Sequence, residues 1–200
     1  MSEAGSEATP EGGYSLVELL VYMSFAVVVL TLIGGMLIST LAAERTISGR
    51  TGASTAGQII TQSIHAGVRN AVALETTQAP NGHLLRLANV GNAAVATPYC
   101  QAWFYDATPP GRVYYRRADV SAVPITVPTA AQLSSDGWLL LGSGIAPGTS
   151  VAAPWKVSGT PADTVRLELS VATDVGDAPA PFTATSTSRQ DVTGLSTCFA

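Results

Sequence analysis

From Leu19 to Ala43 the chain carries no charged residue, a run of 25. No other feature constrains the fold as strongly. At a rise of 1.5 Å per residue, the run makes a helix of roughly 37 Å, enough to cross a ~30 Å hydrocarbon core with some tilt. A secretory signal peptide has an apolar stretch of about 7 to 15 residues behind a positive segment. Here the stretch is longer, and no Lys or Arg precedes it. Residues 14–43 are therefore expected to form a membrane-spanning helix. One carboxylate, Glu18, stands at the amino-terminal edge of the run, within "EGGYSLVELLVYMSF" (residues 11–25). An ionised side chain there is costly to bury and needs a partner or a task.

Local chemistry accounts for part of this. Ser15-x-x-Glu18 fits the capping box, with Ser15 as N-cap and Glu18 at the third helical position, where the helix dipole favours an acid. That explains how Glu18 is tolerated, but not why Gly-Gly-Tyr precedes it. Further along, Gly34 and Gly35 adjoin. Each weakens a helix interior by roughly 1 kcal/mol, so bending or local melting is expected there.

The stretch "GGYSLVELLVYMSFAVVVLTLIGG" resembles the amino-terminal motif of type IV pilins and type II secretion pseudopilins. The resemblance covers about 30 of 200 residues and combines a Gly, an aromatic, a four-residue step to Glu, and an uninterrupted apolar helix. It implies that a prepilin peptidase cuts between Gly13 and Tyr14 and methylates the new amino terminus at Tyr14. Glu18 then becomes the fifth mature residue and pairs with a neighbouring subunit's cationic amine during assembly. Gly34 and Gly35 occupy the region where pilins often carry a helix-breaking proline. The leader departs from the family pattern: it holds Glu3, Glu7 and Glu11 and no base, whereas Arg45 and Arg50 follow the span. Taken alone, the positive-inside rule favours the opposite orientation.

Beyond the span, "GQIITQSIHAGVRNAVAL" places Ile60, Ile64, Val68 and Ala71 or Val72 on one helical face. An amphipathic helix is expected over 55–74, with a glycine-bearing bend in "ERTISGRTGASTAG" before it. After Thr77, short β runs alternate with Gly, Pro and Asn. "HLLRLANV" (83–90) is one. "YCQAWFYD" (99–106) and "RVYYRRAD" (112–119) flank a hairpin turn, "ATPPG". "GWLLLGSG" (137–144) reads as a buried run. In "TVRLELSVAT" (164–173), Val165, Leu167, Leu169 and Val171 share a face, and "DAPAPFTATSTSRQ" (177–190) reads as a proline-bearing edge or tail. The expected class is α+β, a long helix packed on an antiparallel sheet, in the order the pilin fold also shows. The expected divisions are a leader at 1–13, the transmembrane and assembly helix at 14–43, the periplasmic half of the helix at 44–76 and the β domain at 77–200.

Cys100 and Cys198 are the two cysteines. In an exported domain they permit one disulfide, stabilising by about 4 kcal/mol in the chain-entropy model. The alternative is two unrelated buried thiols. From Glu44 onward, ten acids balance ten bases, so there is no basic footprint for nucleic acid. The basic-aromatic cluster of Arg112, Arg116 and Arg117 around Tyr114 and Tyr115 fits a half-exposed hairpin. His65 and His83 are the two histidines, no C-x-x-C occurs, and neither a phosphate loop nor a nucleophile elbow is present. The sequence therefore supports no catalytic residue, metal or cofactor.

The resemblance implies a structural subunit rather than an enzyme: a minor pilin, held as a single-pass protein of the bacterial cytoplasmic membrane with its carboxy-terminal domain outside and incorporated into a surface filament. Its partners would be other pilins, the prepilin peptidase and an inner-membrane assembly platform. Within the family, "RNAVAL" and "GRVYYRRA" resemble J-type pseudopilins and W-type minor pilins, so a type II secretion pseudopilin is the near alternative. A single-pass anchored binding or adhesion domain is the alternative of another class.

Overall fold

In a computed structural model, the described residues are 15–90, 98–119, 124–149, 151–173, 178–192 and 198–199. They form two helices and nine strands, an α+β arrangement with antiparallel pairing throughout. Helix α1 spans Leu16–Arg69. The chain divides into two units, residues 1–45 and 46–200. In the first, the helix is an apolar cylinder whose side chains are exposed all round.

The second unit is built on the remainder of α1. Strands β1 (Ala71–Ala79), β2 (Gly82–Asn89), β3 (Tyr99–Asp106), β4 (Arg112–Asp119) and β5 (Leu139–Ser143) make a five-stranded meander in sequence order. Strands β6 (Ile145–Pro147), β7 (Trp155–Gly159), β8 (Ala162–Val171) and β9 (Ala180–Thr187) make a second sheet. There, β9 lines one edge of β8 while β6 and β7 share the other, end to end. One core joins helix and sheets: Ala53, Ile60, Ile64 and Val68 of α1 meet Leu85, Leu87 and Trp103 of the first sheet and Val165, Leu167 and Leu169 of the second. The expected faces Ile60-Ile64-Val68 and Val165-Leu167-Leu169-Val171 are both buried.

The glycine-bearing segment expected to bend is continuous helix. Gly49, Ala53 and Gly57 recur every four residues on the buried face, so the small residues serve close approach. A Cβ on Gly57 would lie 2.2 Å from the Phe182 ring, and one on Gly67 2.5 Å from Trp103. Packing of the sheets against a small-residue stripe holds the backbone helical where propensity alone is weak.

The helix ends earlier than the expected boundary at 76. It stops at Arg69; Asn70 turns, and "AVALETTQA" is strand β1, paired with β2 from Ala71↔Asn89 to Ala79↔Gly82. Alanine favours helix, but cross-strand pairing with β2 outweighs local propensity, with a bulge between Ala71 and Ala73. The run at 137–144 also differs from expectation. Leu139 is 61% and Leu140 49% exposed, because β5 is the last strand of its sheet.

The hairpin over "ATPPG" joins β3 to β4 as expected. Gly111 closes it at φ +76°, a backbone that L side chains rarely adopt, and a Cβ there would lie 2.0 Å from the Ile145 carbonyl oxygen.

Gly67→Ala tests the helix–sheet contact. Its methyl group would press on Trp103, which is fully buried and has no room to yield. A loss of about 1–3 kcal/mol is expected, read as a lowered thermal midpoint of the full chain in detergent.

Candidate functional site

The amino-terminal end of α1 carries Glu18, the acid singled out in the sequence. Ser15 precedes the helix and its carbonyl accepts the Leu19 amide at 3.1 Å, so Glu18 lies in the first turn, at the third helical position. The exposed amides of that turn and the dipole favour its negative charge. One turn on, the Tyr22 hydroxyl donates to Glu18 Oε1 at 3.2 Å. Gly13 and Tyr14 lie outside the described residues.

The rest of the span is built for a solvent without water. Leu16, Val17, Leu20, Phe25, Leu30 and Ile38 are all exposed. The hydroxyls of Ser24, Thr31, Ser39 and Thr40 turn back onto carbonyls three or four residues earlier, at 2.7–3.0 Å. Each polar side chain is thereby satisfied within the helix, as hydrocarbon requires. Among the described residues, α1 is the helix long and apolar enough to cross a membrane. Gly34 and Gly35 lie within continuous helix, and a Cβ at either would meet nothing within 4 Å.

Elsewhere, the candidates serve the fold. Cys100 and Cys198 form a disulfide with Cα atoms 5.6 Å apart, fastening the carboxy-terminal residues to β3 across 98 positions. Tyr115 accepts a hydrogen bond from Gln101 Nε2 at 2.7 Å and stacks obliquely on Trp103, while Arg117 lies over the Tyr99 ring at 3.9 Å. Tyr115 of the basic cluster is thus committed to the sheet. His65 Nδ1 meets Ser186 Oγ at 2.7 Å, tying α1 to β9. Burial lowers the pKa of His83 from its ordinary value, which favours the neutral ring.

A buried cation escaped the sequence reading. Arg86 donates to Glu75 Oε2 at 2.8 Å, Thr77 Oγ1 at 3.0 Å and the Ile125 carbonyl at 3.1 Å, with the Phe199 ring 5.5 Å from its guanidinium carbon. Its alternation with Leu84 and Ala88 was the available signal: it shares their face, which residues 125–127 and 198–199 cover.

A surface cavity of about 400 Å³ is lined by Thr149, Arg166, Glu168 and Thr183, and its two charged residues pair with each other. Among the described residues, no three His, Cys, Asp or Glu side chains converge to hold a metal. Compared with known proteins, the chain matches no family model, no curated protein and no solved structure.

The two glycines of the span invite a direct test. Because added methyl groups meet no obstacle, Gly34→Ala with Gly35→Ala should stiffen the helix. Amide hydrogen exchange around them in detergent micelles should slow by roughly fivefold per substitution, the equivalent of about 1 kcal/mol each.

Proposed function

We propose that the protein is a pilin-like structural subunit, of minor-pilin type. On this reading it inserts in the cytoplasmic membrane through α1, is cut between Gly13 and Tyr14 by a prepilin peptidase, and assembles with other subunits through its apolar helix while the β domain faces outward. The observation that carries the reading is Glu18: a lone acid in the first turn of the helix, four residues after Tyr14 and at the head of the uncharged run Leu19–Ala43. Cutting at Gly13 creates a cationic amine at Tyr14. A carboxylate in lipid is costly to leave unpaired, and docking beside a neighbour's amine relieves that cost while setting the register of the two helices. The α+β architecture, with a long helix leading into an antiparallel domain, supports the same reading. A pseudopilin of a type II secretion system would use these features in the same way and differ in the machine it serves.

Two measurements test the proposal. Protein purified from native membranes should begin at N-methylated Tyr14, by mass and amino-terminal sequencing; a chain that keeps residues 1–13 would remove the main support. Glu18→Ala should leave the protein stable in the membrane yet abolish its incorporation into filaments. Unchanged incorporation would favour an anchored binding domain instead.

A further inference from the structure

We propose that Tyr22 is a positioning residue for Glu18: its phenol holds one carboxylate oxygen and leaves the other for the amine of an adjoining subunit. The inference rests on the assembly reading above.

The geometry is local and specific. Residues four apart share a helix face, and a helical aromatic side chain leans back toward the amino terminus. Tyr22 therefore reaches over the preceding turn, where its hydroxyl donates to Oε1 of Glu18. The hydroxyls of Ser24, Thr31, Ser39 and Thr40 bond instead to the helix backbone, so Tyr22 spends its proton differently from them. A phenol suits the place, since its ring is at home at a membrane interface and its tip stays polar.

An ionised carboxylate has about four lone-pair sites on two oxygens. The phenol occupies one of them, on Oε1. Where water is scarcer than in bulk, each donor that reaches the anion counts for more than it would in solution. Oε2 is then presented to a cation arriving from a second chain. Tyr22 thereby reduces the number of side-chain orientations Glu18 must give up when the amine docks.

Tyr22→Phe removes the donor and keeps the ring. In membranes that contain the processing and assembly machinery, subunit-to-subunit cross-linking of the full chain should slow by about three- to tenfold, the range of a typical net hydrogen bond. In a Glu18→Ala background, the same substitution should change the residual cross-linking no further. Wild-type protein with ¹³C-labelled glutamate, in lipid vesicles, should differ from Tyr22→Phe in its carboxylate stretching band. An unshifted band overturns the proposal, as does a loss on Tyr22→Phe that persists undiminished without Glu18, since Tyr22 would then act by packing. If Glu18→Ala itself leaves cross-linking intact, the assembly reading fails, and the infrared band still decides whether Tyr22 holds Glu18.

Discussion

Trp103 against Gly67 is the contact on which the second unit depends. The indole is fully buried, its ring stacks on Tyr115, and its Nε1–H donates to Ser63 Oγ at 2.9 Å. A large aromatic brings a large buried area but also a polar atom that must be satisfied. Ser63 and Gly67, one turn apart on α1, provide the acceptor and the room. Once that contact is made, the helix–sheet distance is set, and Ile60, Ile64 and Val68 fall into the same core as Leu85 and Leu87.

Because α1 occupies one face of the five-stranded sheet, the chain is left with a second apolar face to cover. The segment around Ile125, helix α2 (Ala130–Ser135), Trp138 and Phe199 cover it. The disulfide holds the last of these in place, since Cys198 is joined to Cys100 on that same face. Burying both faces explains why β2 is buried almost from end to end, and why a charged residue on it must bring its own partners. Arg86 has them in Glu75, Thr77 and a backbone carbonyl. Removing one partner from such a buried group costs more than the pair itself contributes.

The first unit obeys a different rule. Over Leu19–Ala43 the helix bonds its Ser and Thr hydroxyls internally and exposes mainly apolar side chains. Glu18 is the acid just before that stretch, and its position in the first turn is the one where the helix itself is most hospitable to a negative charge.

Much of this was legible in the residues themselves. The span, its single acid, the alternating face of β8 and the β3–β4 hairpin follow from periodicities and charges that one segment carries alone, because a helix or strand with one wet and one dry face repeats every 3.6 or 2 residues. The Tyr22–Glu18 pair was also there to be read, as an i, i+4 spacing of donor and acceptor on one helix face. What lies between segments was not legible. That "AVAL" extends rather than coils depends on β2 lying beside it. The exposure of Leu139 and Leu140 depends on β5 being the outermost strand, and the burial of Arg86 depends on a covering segment about forty residues away. Gly57 reads alone as weak helix, yet it and Gly67 are sites of close approach, because their meaning comes from the bulk of Phe182 and Trp103 on distant strands. Sequence alone determined which stretches are apolar and at what period; the tertiary structure decided what each apolar face touches, because burial depends on neighbours that arrive from distant parts of the chain.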